Sequence, residues 1–165
     1  MKSMNIYILA ILPPGRKVIG NRWVFKFQLA EIDPVAKAEV DPTAKGHLVV
    51  KGFNQILGGD FRRTLTPVVK ASSVCLLAAL ACYHSWILDC FNVTCAFLWG
   101  ELEEKIYMKL PNGFHLPPGT SLPPGATSLL DCVWRLTHSI YGLKQALLIW
   151  YSKICGVLER LGLVV

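Results

Sequence analysis

Near the N-terminus, Ile6-Tyr-Ile-Leu-Ala-Ile-Leu12 is a short unbroken apolar run, the pattern of a buried or edge strand. Residues 18–30 mix β-branched and aromatic residues with basic ones, as a strand with one wet face does. Asp33-Pro34 and Asp41-Pro42 then punctuate the chain before Leu48-Val49-Val50 resumes extended character, so the spacing predicts an antiparallel hairpin. Gly58-Gly59-Asp60 is the next break, and Thr66-Pro67 combines a capping hydroxyl with a preset φ, which suits the start of a helix. Val74, Leu77, Ala78 and Ala81 recur at helical spacing within 72–83 and predict a buried helix. Residues 86–98 turn to Ile, Val, Phe and Cys ahead of Gly100, which predicts a central strand. Leu116-Pro-Pro-Gly119 and Leu122-Pro-Pro-Gly125 repeat a turn unit already seen at Leu12-Pro-Pro-Gly15, too short to be a repeat architecture. From Leu143 onward, Leu147, Trp150, Ile154, Val157, Leu158 and Leu161 step by three and four, the stripe of an amphipathic helix.

Hairpin, helix, strand, long loop and helix make an α+β order, and no linker or second composition regime divides residues 1–165. With 53% hydrophobic and 17% charged residues the chain can bury a core, which excludes disorder. Its 17 Lys and Arg against 11 Asp and Glu leave +6, a balance suited to a polyanionic partner without naming one. Cys75, Cys82, Cys90, Cys95, Cys132 and Cys155 sit in apolar surroundings with no Cys-x-x-Cys pair, and His47, His84, His115 and His138 are scattered. They read as reduced core cysteines and ordinary histidines, not as zinc ligands. The N-terminal run lacks a clear cleavage site, and no run approaches the roughly 20 residues of a membrane span, so the expectation is a soluble intracellular chain. Nothing in it distinguishes cytoplasm from nucleus.

Four blocks carry the chemistry. They are Leu12-Pro-Pro-Gly-Arg-Lys-Val-Ile-Gly-Asn-Arg-Trp-Val-Phe-Lys26; Lys45-Gly-His-Leu-Val-Val-Lys-Gly-Phe-Asn-Gln55; Asn92-Val-Thr-Cys-Ala-Phe97-Leu-Trp-Gly followed by a Glu-rich turn and Ile106-Tyr-Met108; and Ile140-Tyr-Gly-Leu-Lys-Gln-Ala146 with Trp150-Tyr151. In this order and with these gaps, roughly residues 10–163 resemble the reverse transcriptase (RNA-directed DNA polymerase) domain of Ty1/copia-type retrotransposons. The resemblance implies a partial right-hand polymerase fold, with the first two blocks in the fingers and the later ones in the first part of the palm. It also implies a template of RNA or DNA, a primer and deoxynucleotides as partners.

Polymerases of this kind join nucleotides with two Mg²⁺ ions, which want carboxylate oxygens. In related enzymes one Asp stands where this chain has Asn92, and two more come from a later Asp-Asp hairpin, which by the resemblance would lie beyond residue 165. Asn92 supplies a carbonyl oxygen without charge, so no metal is expected to bind tightly. Asp89, three positions earlier on the expected strand, would point to the opposite face and reads as a strand-end polar residue.

The resemblance further implies nucleotide-binding positions at Lys45 and Lys51, at Phe97 as a steric gate beneath the sugar, and at Gln145. Read without it, Phe97 is core and the lysines are solvated. His47 replaces a usual Arg, Leu147-Leu148 replace a Pro-Arg pair, and Arg63 replaces a common acidic residue. The resulting expectation is a retroelement-derived reverse transcriptase fragment that is inactive on its own. The alternative is a non-catalytic nucleic-acid-binding or protein-interaction module that keeps the basic fingers surface. A third is a product without function, with an exposed sheet edge.

Overall fold

The structure, a computed structural model, describes residues 5–28 and 43–163. Its strands are β1 (Tyr7–Ile11), β2 (Val18–Ile19), β3 (Asn21–Gln28), β4 (Thr43–Val50), β5 (Glu101–Met108) and β6 (Cys132–His138). Its helices are α1 (Ala71–Tyr83) and α2 (Ala146–Arg160), which makes the fold a mixed α+β one. Four strands form one sheet in the order β1-β6-β5-β2, with β6 antiparallel to both neighbours and β2 parallel to β5. The other two form the expected hairpin, in register from Asn21 opposite Val50 to Gln28 opposite Thr43. The Asp-Pro punctuation between its strands lies outside the described residues.

The core gathers where the sheet, the end of the hairpin and the start of α2 meet. Ile19, Ile106 and Met108 are fully buried there beside Val50, Leu98, Leu136, Ile140 and Leu143. β1 is the edge strand its sequence suggests, and its Tyr7 ring stacks on Trp134 of β6 at 3.7 Å between centroids, with Phe114 edge-on to both. The Leu-Pro-Pro-Gly units are type II turns. In each, a backbone N–H reaches back three residues to the first proline's carbonyl (Arg16 to Pro13, Thr120 to Pro117, Ala126 to Pro123), the second proline holds the first corner, and glycine supplies the positive φ of the second.

Three expectations are corrected. Thr66-Pro67 does not start the helix: Thr66 Oγ1 donates to Thr64 O, and α1 begins at Ala71 after an extended Lys70. α1 forms where expected but is not a buried helix. Ala81 is covered, while Val74, Leu76, Leu77 and Leu80 are all exposed. Apolar residues surround the whole helix instead of one stripe, so it has no single face to set on the sheet. The stretch 86–98 is not a central strand. Residues 86–93 carry no ladder, Cys95 takes a left-handed φ of 54°, and Ala96–Trp99 close a 3-10 turn. Its β-prone residues pair with none of the described strands.

One crossing joins hairpin and sheet. Val50 N donates to Tyr141 O at 2.8 Å and Lys51 N to Gly20 O at 2.8 Å. Gly52 and Gly142 pass so close that a Cβ on Gly52 would run into the Gly142 carbonyl, and one on Gly142 into the Val50 carbonyl. Gly142 also needs its φ of +93°. Gly142→Ala and Gly52→Ala are therefore expected to lower stability by about 3 kcal/mol or more, since backbone has to move. Gly119→Ala, at a positive φ in open space, should cost only about 1–2 kcal/mol. Urea unfolding of the three variants measures the difference.

Candidate functional site

Two cavities each take residues from the stretch 139–145. An apolar cleft of about 590 Å³ opens between hairpin and sheet, lined by His47, Leu48, Cys95, Leu98, Trp134 and Tyr141 among others. A polar cavity of about 580 Å³ is lined by Arg62, Arg63, Glu101, Gln145, Ser152 and Lys153 among others. A neighbouring hollow of about 350 Å³ shares Arg62, Glu103 and Glu104 with it and adds Arg16 and Lys105. Both larger spaces fall in the usual size range of ligand pockets, roughly 300–1,000 Å³.

Phe97 sits on the 3-10 turn, which three interactions hold: Leu98 N donates to Cys95 O at 2.8 Å, Gly100 N to Phe97 O at 3.3 Å, and Trp99 Nε1 to Thr94 O at 3.3 Å. Its ring meets Tyr141 edge-on at 4.9 Å, and Tyr141 in turn meets His47 edge-on at 5.6 Å. Phe97 and His47 are thus brought into one aromatic chain through a residue whose role the sequence did not single out. Tyr141 could have been suspected only from its place in the fourth block, since a turn residue has no periodicity.

Lys45 and Lys51 stand apart from this chain. Lys45 is exposed on β4 directly opposite Lys26 of β3, and Lys51 is exposed just beyond the strand end. Neither lines the cavities described. Gln145 is buried at 3% exposure, and its amide is committed within the protein: Oε1 accepts from Gln55 Nε2 at 2.9 Å and Nε2 donates to Asp60 O at 2.9 Å. The four nucleotide-binding positions taken from the resemblance therefore divide among an aromatic chain, a solvated hairpin and a polar cavity.

The polar side mixes charges, with Arg62, Arg63 and Lys153 set among Glu101, Glu103 and Glu104. Lys144 Nζ lies 4.8 Å from the centre of the buried Phe61 ring, and the Arg16 guanidinium 5.8 Å from that of Tyr107. Both are cation–π contacts that hold a cation near the surface without neutralising it.

Asn92 is exposed on the unpaired stretch before the 3-10 turn, with Asp89 exposed three residues upstream. A divalent cation of the Mg²⁺ type takes several oxygen ligands, usually with carboxylates among them. Asn92 offers one neutral oxygen, and among the described residues no three His, Cys, Asp or Glu side chains stand together as a metal centre requires. The donor set here does not fit such an ion. Among the described residues, too, no helix is long and apolar enough to cross a membrane.

The family model that matches the chain, over residues 4–164, is that of the reverse transcriptase (RNA-dependent DNA polymerase). The retrovirus-related Pol polyprotein from transposon TNT 1-94 of Nicotiana tabacum is 36% identical over 153 residues, 93% of this chain and 10% of that protein. The corresponding polyproteins from transposons RE2 and RE1 of Arabidopsis thaliana are 34% and 31% identical, each over 92% of this chain and 9% of their own length. The chain thus spans about a tenth of the length of these curated relatives. No solved structure matches it. With a family model covering nearly every residue and Pol polyproteins of copia-type elements as its relatives, the chain belongs to the reverse transcriptase family.

Proposed function

We propose that this chain is a single reverse transcriptase domain fragment, comprising fingers and the first part of the palm, that does not polymerise on its own. The observation that carries this reading is Asn92: the position of the family's metal-binding Asp holds a neutral side chain on an exposed, unladdered stretch. No Asp-Asp pair occurs anywhere in the 165 residues to supply the other two carboxylates. Two-metal phosphoryl transfer depends on carboxylates that neutralise and position the ions, and one carbonyl oxygen cannot replace them.

A second reading has its own support. Opposite residues of a hairpin share a face, so Trp23, Phe25 and Phe27 form an aromatic row over the smaller Leu48, Gly46 and Ala44, while Arg22, Lys26 and Lys45 share the other face. The row is open to solvent, Phe25 and Phe27 being 71% and 74% exposed. Aromatic rows accept stacked bases of any sequence, and the cations of the reverse face of this two-stranded ribbon add a general attraction for phosphates. Retained binding of single-stranded nucleic acid by the hairpin fits this arrangement and the net charge of +6.

Two experiments test these readings. Neither the wild-type chain nor Asn92→Asp should extend a primed template with Mg²⁺. The substitution should also leave folding stability within about 0.5 kcal/mol, as expected of an exposed residue. Extension by the wild-type chain overturns the first reading. For the second, affinity for a fluorescent single-stranded oligonucleotide should fall steeply with salt. Lys45→Ala should reduce the slope of log K against log salt by about 0.7, and Phe25→Ala should weaken binding by about 1–3 kcal/mol. Salt-independent binding, or none, removes this reading.

A further inference from the structure

Gln55 and Gln145 lie 90 residues apart in sequence, and both are buried, at 5% and 3% exposure. They form a directed relay. Lys144 N donates to Gln55 Oε1 at 2.8 Å, Gln55 Nε2 donates to Gln145 Oε1 at 2.9 Å, and Gln145 Nε2 donates to Asp60 O at 2.9 Å. The first donor is a backbone N–H and the last acceptor a backbone carbonyl, and neither can exchange roles. Flipping either amide would therefore set oxygen against oxygen or N–H against N–H, so each has one admissible orientation.

The relay's end is itself fixed. Asp60 N donates to Ile56 O and Asp60 Oδ2 accepts from Ile56 N, each at 2.9 Å, which closes the 56–60 turn on itself. The next residue, Phe61, is buried beneath Lys144. Both ends of the relay thus rest on elements that cannot rotate to relieve a mismatch.

We infer that Gln55 is a positioning residue: it holds the Gln145 amide in one orientation at the wall of the polar cavity and locks the turn after β4 to the start of α2. An apolar pair of the same volume would fill the space equally well. What the glutamines add is direction, which low local dielectric makes costly to break once the groups are buried. This role stands whether or not the polar cavity takes a nucleotide, so its failure and that of the proposed function are separate.

Gln55→Glu isolates direction from volume. The protonated acid keeps one O–H donor and one carbonyl acceptor and reproduces the relay. The carboxylate has no donor and sets negative charge against Gln145 Oε1. The introduced carboxyl should therefore titrate in the folded chain above the roughly 4.3 of an unfolded Glu. A raised folded value means that wild-type-like behaviour is fully present below about pH 4.3 and is lost as pH climbs through the folded value.

In the full chain labelled with ¹⁵N, the Gln145 side-chain amide protons of Gln55→Glu should match wild type in exchange protection near pH 4. By pH 7 they should fall about tenfold or more below it, because every step of one in pH beyond the folded value multiplies the carboxylate-to-acid ratio by about ten. Gln55→Leu, which keeps the bulk, should show the loss at every pH. Parallel pH profiles for Gln55→Glu and wild type overturn the inference, as does full protection in Gln55→Leu. Should neither variant fold, the scalar coupling across the Gln55 to Gln145 hydrogen bond in the wild-type chain decides: its presence supports the relay, and its absence overturns it.

Discussion

Two stretches of backbone pass each other with no room for a side chain between them, at Gly52 and Gly142. Asn21 Nδ2 donating to Lys109 O and Trp23 Nε1 donating to Asn112 O tie β3 to the chain after β5, while the base of the hairpin meets the loop 139–145 at that crossing. The Val50 to Tyr141 hydrogen bond sets its height, and the buried side chains of Val50, Ile140 and Leu143 pack around it. Because the contact is backbone to backbone, it positions the loop 139–145 with little play, and that loop in turn directs Tyr141 to the apolar cleft and Gln145 to the polar cavity. A small steric allowance thus lies where the hairpin, the sheet and the start of α2 share one core.

What the sequence revealed follows from the kind of signal each element leaves. The hairpin, β1 and α2 were legible because their patterns are periodic or bounded by strong turn residues. α2 nonetheless starts at Ala146, three residues after its apolar stripe begins, because Leu143 and Lys144 belong to the crossing loop. β5 escaped notice because its first half, Glu-Leu-Glu-Glu, looks like a charged turn, and its strand character comes from pairing with β6. α1 and 86–98 were misread for one shared reason. Apolar residues record a demand for burial, but not whether a surface or an open strand edge exists to meet it.

The candidate site divides along the same line. Of the motif residues, Phe97, His47 and Gln145 all lie in or against the crossing loop and its neighbours, whereas Lys45 and Lys51 do not. Their partners were not legible. Tyr141 and Gln55 act from turns, where neighbours are chosen by tertiary geometry and leave no spacing to read. Gln145 shows how far this can alter a role, because an amide picked out for a ligand is occupied on both ends by its own chain.

The uncovered helix changes how stability is distributed along the molecule. Val74, Leu76, Leu77, Leu80, Trp86, Ile87 and Phe91 are already wet in the folded state. Heat capacity and denaturant sensitivity arise from apolar surface newly hydrated on unfolding, so this region contributes little to either. The buried apolar surface lies instead in the four-stranded sheet, the hairpin base and the start of α2. Residues 71–91 are therefore expected to add little to the heat-capacity change of unfolding even while α1 keeps its backbone hydrogen bonds, so that change should be smaller than a chain of 165 residues would ordinarily give.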